Sequence, residues 1–192
     1  MSVTIVLDLE TTVQFGEDKS KDNSPYHPKN KIVSSHWRMI EDGELGPARR
    51  AIFNHNEQHG LDADSSEQMK ADLKRAELIV CHNAKFDVSY LYESGFSTPK
   101  TVYDTMIGEY IFARGQRQEL SLKATAERRD VTRKKSDLVD DLFKSGVGFE
   151  AMPLATVIEY ADADVLSTAE IYQAQQKDLL KESNVGLLPT FT

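Results

Sequence analysis

Three separated stretches of the chain offer carboxylates where a fold could gather them. Asp8 and Glu10 stand two apart at the end of a short apolar run, so on a strand their side chains share a face. Asp87 comes early in a segment with helical periodicity, and Asp164 lies one helical turn beyond Tyr160. Brought together, four carboxylates repel one another and cost stability unless cations sit among them. Hard oxygen donors select Mg²⁺ or Mn²⁺ over zinc. Two such ions about 3.5–4 Å apart can clamp the attacking and leaving oxygens of a phosphodiester. In a chain with 31 acidic residues each piece alone is ordinary. Their joint presence, each at a structural edge, is what points to chemistry.

The elements that must position these groups are readable from periodicity. Residues 3–7 form an apolar strand that empties into Asp8 and Glu10. Residues 11–31 are polar with two prolines and read as a long loop, with Phe15 and Tyr26 as candidate stacking aromatics. Residues 32–40 read as a second strand and 48–55 as a third. Residues 66–76 suit an amphipathic helix with Met69 and Leu73 on one face, capped by Ser65 or Ser66. A tight strand at 78–81 runs straight into His82 and Asn83. A helix over 84–93 follows, with Phe86, Tyr90 and Leu91 on one face and Gly95 ending it. A short strand at 102–103 precedes Asp104, a predicted N-cap for a helix to about 114. Further helical stretches lie at 121–128 and 137–143. Pro153 suits the first turn of a last helix reaching about 182. Strands alternating with helices predict an α/β domain.

Bulk properties bound the rest. The chain has 192 residues, suited to one compact domain over 1–182 with an apolar tail at 183–192. No apolar run approaches the roughly 20 residues of a membrane span. The lone Cys81 excludes a disulfide framework or a cysteine zinc site and fits a reducing, cytoplasmic setting. A net charge of −8 runs against the usual basic balance of nucleic-acid proteins. A carboxylate site whose charge is cancelled by bound metal, or a substrate delivered by a partner, would account for it. The densest basic run is Arg128, Arg129, Arg133, Lys134 and Lys135, the candidate for phosphate contact.

The chain resembles the DEDD superfamily of 3′→5′ exonucleases, which share an RNase H-like fold. The resemblance rests on Leu7-Asp8-Leu9-Glu10-Thr11, on His82-Asn83-Ala84-Lys85-Phe86-Asp87 and on Tyr160-Ala161-Asp162-Ala163-Asp164-Val165, in the family's order. Glu159 stands where the histidine branch has its His, and Tyr160 stands four before Asp164, so the chain looks like the tyrosine branch. Asp162 is the competing third-motif ligand. With it the residue four earlier is Ile158, and on a helix it points roughly 160° away from Tyr160, which favours Asp164. The 22–31 loop and Tyr103-Asp104-Thr105-Met106 resemble the proofreading domains of phage family-A DNA polymerases.

The resemblance implies a mixed central sheet flanked by helices and an enzyme that cuts 3′-terminal phosphodiesters of single-stranded or frayed DNA. It implies two Mg²⁺ or Mn²⁺ ions, with Asp8, Glu10 and Asp164 on the first, Asp8 bridging to the second, and Asp87 assisting through water. Tyr160 is then expected to orient the attacking water. A phenol pKa near ~10 makes it a poor base. Thr11 and Asn83 are expected to touch the terminal nucleotide, with Phe86 as a further substrate-binding candidate. His82 is expected to be structural. A separate or split DNA polymerase, or a sliding clamp, is the expected partner, in a phage-infected or bacterial cell. An RNA-trimming enzyme like RNase D, or a retired exonuclease domain used for docking, are the rivals. Retention of all four acids and the Tyr argues against retirement.

Overall fold

The computed structural model describes residues 2–16, 21–57, 63–132 and 137–184. Strand β1, Val3–Thr11, is buried on both faces, and its alternation divides labour along its length. Ile5, Leu7 and Leu9 enter one core, while Val6, Asp8 and Glu10 face the other way, so that second face turns from apolar to acidic toward the strand's carboxyl end.

The segment after β1 holds a two-stranded ladder, β2 Gln14–Phe15 with β3 Lys21–Asp22, inside what the sequence suggests as plain loop. Strand β4, Ile32–Glu41, runs antiparallel to β1. Pairing steps from Glu10↔Ser34 to Thr11↔Ile32, which leaves Val33 as the extra residue of a bulge. Asp42 and Gly43, both at positive φ, turn β4 into β5, Glu44–Leu45. An Asp-Gly pair at positive φ is the type I′ hairpin signal. The third predicted strand is real but shorter: β6, Arg49–Ile52, pairs with β4.

Helix α1, Ala63–Arg75, begins ahead of the expected cap. Ser66 is buried because it shares the stripe of Met69 and Leu73, so it packs inside the helix rather than capping it. Strand β7, Leu78–Cys81, lies parallel to β1 and delivers helix α2, Ala84–Glu93. Strand β8, Thr101–Asp104, is parallel to β7. It leads into α3, Thr105–Phe112, then α4, Leu122–Arg129, and α5, Asp137–Lys144. A 3₁₀ turn at Phe149–Ala151 precedes the long α6, Leu154–Asn184. Of the expected tail, 183 and 184 belong to α6, and 185–192 lie outside the described residues.

The sheet runs β5-β4-β1-β7-β8, with β6 also on β4. It is mixed, with helices packed on it, as expected for an RNase H-like fold. On one face Ile5, Leu7, Leu9, Trp37 and Met39 pack on Met69 and Leu73 of α1 and Tyr90 and Leu91 of α2. On the other, Val6, Ile40 and Val80 meet Val165 and Ala169 of α6. Close approach of α6 to α3 needs Gly108, where a Cβ would stand 2.7 Å from Gln175 Oε1 and 3.0 Å from the Tyr103 hydroxyl. No described helix is long and apolar enough to cross a membrane.

Candidate active site

At the carboxyl end of β1 a cavity of about 340 Å³ opens between the sheet, α2 and α6. Asp8, Glu10 and Asp164 each bring a carboxylate oxygen to within 4.8 Å of the others. Glu10 is 5% and Asp164 4% exposed, so these charges sit close together in little water. Asp87 lines the same cavity but stands outside that group of three. Its Oδ1 accepts the Leu9 N–H at 3.1 Å, which ties α2 to β1. Burial, and then the negative charge of Asp8, raise the Asp87 carboxyl well above its ordinary range. Such a cluster costs free energy without cations. The donor set is all oxygen and anionic, the chemistry that a hard divalent ion requires.

Tyr160 forms part of the wall, one turn before Asp164. Burial pushes its phenol pKa far up, and the charges of Glu10, Asp164 and Asp8 push the same way. The group is therefore an O–H, a hydrogen-bond donor to whatever oxygen occupies the cavity. Phe149 packs on the Tyr160 ring at 5.7 Å, and Phe143 meets Phe149 edge-on at 4.8 Å. Lys21 reaches over Phe143, its ammonium 4.9 Å from the ring centroid. Lys21, Phe143 and Phe149 all line the cavity and were not anticipated. The partners Lys21 and Phe143 are over a hundred residues apart, a distance no local pattern bridges.

Thr11, Asn83, Phe86 and His82 also line the cavity. Asn83 adopts a left-handed backbone, φ 68° and ψ 52°, that Asn tolerates better than most residues. His82 is held between Thr105 Oγ1 at 2.9 Å and the Leu120 carbonyl at 2.8 Å. Asp104 does more than cap α3. Its carboxylate accepts the N–H groups of Met106 and Ile107, and also those of Asn83 and Ala84 at the start of α2. One side chain thus anchors two helix N-termini and the turn that carries Asn83.

Two expected phosphate contacts are placed elsewhere. Arg128 and Arg129 do not line the cavity; both donate to the buried Glu109, and Arg129 also to Asp178. Burial alone would raise the Glu109 carboxyl, but hydrogen bonds from Arg129, Arg128 and Gln175 hold it below its ordinary range. These arginines brace α3, α4 and α6, because a buried carboxylate attracts guanidinium more strongly than solvent does. Arg133, Lys134 and Lys135 lie outside the described residues. Phe15 and Tyr26 are exposed and do not line the cavity.

Asp162 takes a different partner from Asp164. Its Oδ1 accepts the Nδ1–H of His36 at 2.7 Å, and its Oδ2 accepts from Arg50 at 2.9 Å. The His36 ring is fully buried, with Nε2 3.2 Å from Ser34 Oγ. Desolvation lowers its pKa below 6.5 despite the Asp162 carboxylate. Burial thus favours the neutral ring, with Nδ1–H directed at the Asp162 carboxylate.

Comparison with known proteins bears on the family and the fold. Residues 55–180 match the family model described as 3′-5′ exonuclease, a span that includes Asp87, Tyr160 and Asp164 but not Asp8 or Glu10. No curated protein sequence matches the chain. Among solved structures, NrnC of Brucella melitensis with bound Mg²⁺ superposes with a TM-score of 0.58 at 20% identity, over 94% of this chain and 75% of that one. Escherichia coli RNase D, an exoribonuclease involved in structured RNA processing, gives 0.53 at 19%, over 97% and 41%. Pol1 of M. smegmatis, in complex with DNA primer-template and dNTP, gives 0.58 at 12%, over 98% and 26%. At these identities the likeness is one of fold.

Proposed function

Since the chain belongs to the 3′-5′ exonuclease family, we propose that it removes nucleotides singly from the 3′ end of single-stranded or frayed DNA, releasing nucleoside 5′-monophosphates. The observation that carries this is the convergence of Asp8, Glu10 and Asp164 to within 4.8 Å, beside Tyr160, in a cavity sized for one small ligand. Assignment to the tyrosine branch is supported by the same wall: Tyr160 lines the cavity, while Glu159, at the position of the other branch's His, is exposed.

Asp8, Glu10 and Asp164 would hold one divalent ion, and Asp8 with Asp87 would serve a second. When bound, Mg²⁺ or Mn²⁺ acidifies the attacking water and offsets charge on the departing 3′ oxygen. The protein's own share is placement. Tyr160, kept as a phenol, donates to the attacking water and fixes its line of approach. Thr11 and Asn83 border the terminal nucleotide, and Phe86 stands on the same wall. Lys21 at the aromatic side contributes a positive charge for phosphate. Action for a separate or split polymerase, in a phage-infected or bacterial cell, follows from the resemblance of the 22–31 and 103–106 segments and is part of the proposal. A sliding clamp is the other partner considered.

A 5′-labelled single strand incubated with Mg²⁺ or Mn²⁺ tests it. The expected outcome is a ladder shortening from the 3′ end, abolished by EDTA and by Asp8→Ala. No ladder on DNA or RNA would favour a docking module. Faster shortening of an RNA strand than of the matching DNA strand would move the substrate to RNA.

A further inference from the structure

We propose that His36, Asp162 and Arg50 form a clasp that sets the rotation of α6 and so places Asp164 and Tyr160 against Asp8 and Glu10; this rests on the metal-dependent reading above. Val157, Ala161, Val165 and Ala169 recur every four residues and form the buried stripe of α6. At about 100° per residue, Tyr160 and Asp164 fall on one flank of that stripe, roughly 60–100° from Ala161. Asp162 falls roughly 100° away on the other flank. The helix is thus gripped on the side opposite the one that delivers its acid and phenol.

Farther along, Gln175 and Asp178 tie α6 to α3 and α4, so the clasp matters for the turn of helix that carries Tyr160 and Asp164. Two of the four stripe residues are alanines, which offer little relief for a neighbouring surface to lock. A hydrogen bond from a buried ring is directional, and His36 supplies one at 2.7 Å. At a side-chain radius of about 5–6 Å, a rotation of roughly 15° moves a carboxylate by about 1.5 Å. Displacement on that scale is enough to cost about 100-fold in rate where a metal and a water must be aligned. The clasp is also referenced to the right place. In the β1–β4 ladder His36 lies opposite Asp8 and Ser34 opposite Glu10. The strand positions that carry the acids face those that hold the helix.

The test compares His36→Phe, which fills the space without a donor, His36→Asn, which restores an N–H near Nδ1, and Arg50→Ala. Mn²⁺ binding is followed by the electron paramagnetic resonance signal of the free ion, and kcat, KM and Tm are measured alongside. We expect His36→Phe to weaken Mn²⁺ binding about tenfold, in line with outer partners of metal ligands. It should lower kcat by about tenfold or more with KM within about twofold. His36→Asn should recover most of both losses, and Arg50→Ala should show a smaller loss of the same kind. A lowered Tm with Mn²⁺ affinity and kcat unchanged would make the contact merely structural and overturn the inference. If His36→Phe does not fold, Asp162→Ala, which removes the acceptor of both His36 and Arg50, takes its place, and unchanged Mn²⁺ affinity and kcat there would overturn it equally. Wild-type protein that neither binds Mn²⁺ nor shortens a strand would instead defeat the metal-dependent reading itself.

Discussion

Tyr160 is the residue where burial and charge agree most plainly. Both raise its pKa, so over the range in which the protein folds it can donate a hydrogen bond but not accept a proton from water. Tyr160→Phe keeps the ring packed on Phe149 and removes only the O–H. It should lower kcat by about 10- to 100-fold, since it removes a positioning contact, and leave Mn²⁺ binding within about twofold of wild type. Wild-type turnover would deny the phenol its role. His36 yields a pH prediction. Its folded-state pKa lies below the unfolded value of 6.5, so between the two the unfolded chain binds more protons. Stability present above pH 6.5 is therefore lost as pH falls through the folded-state value. Asp162 and Arg50 face the ring, and Asp162 titrates only at lower pH, its carboxyl held down mainly by the His36 hydrogen bond against the opposing effect of burial. Asp87, with its raised pKa, works in the opposite direction. Urea unfolding at about pH 7.5 and about pH 5.5 should show a smaller acid loss in His36→Asn than in wild type, a difference in which the Asp87 contribution cancels.

At the scale of elements, Asp104 joins β8, α2 and α3. A helix cap is worth about 1 kcal/mol, and this carboxylate serves two. Asp104→Ala should cost about 2 kcal/mol or more in urea unfolding and lower activity as well, because Asn83 rides on the turn it holds. A loss no larger than that of a single cap would mean the contacts to α2 contribute nothing. The sequence anticipates the local half of this arrangement and misses the rest. An Asp before a helix reads as its cap, whereas bonds to residues some twenty positions earlier leave no local trace. The same limit explains Arg128 and Arg129. Charge density alone suggests phosphate contact, and the competing Glu109 becomes visible only when α3 and α4 meet. Asp8 and Glu10 were legible at the end of an apolar strand, and Asp87 and Asp164 through the spacing of the motifs around Asn83 and Tyr160, while His36 lies 126 residues from its partner inside a strand that reads as ordinary. Arg128→Ala should accordingly lower Tm while leaving the salt dependence of strand binding unchanged.

For the whole molecule, the net charge of −8 and the acidic cavity make affinity for a polyanion dependent on few cations. Lys21 is the lysine among the described residues that line the cavity. Lys21→Ala should flatten the plot of log affinity against log salt by about 0.7 for a single strand, and Lys21→Gln should do the same. An unchanged slope would leave Lys21 as a cover for Phe143. Divalent ions should stabilise the fold by about 2.7 kcal/mol at a hundredfold excess over Kd. Asp8→Asn should abolish that gain while leaving the metal-free protein at least as stable, since it removes repulsion. One consequence concerns the assembly of the sheet. Sliding β1 by two residues would keep Ile, Leu and Leu on their side of the pleat, so alternation by itself permits that error. On the opposite side the slip would drive Asp8 into the slot of Val6, against Val165 of α6, at the cost of an unpaired charge in a greasy contact. The acids thus weigh against that slip, and apolar residues in place of both Asp8 and Glu10 would lessen the penalty for docking out of step.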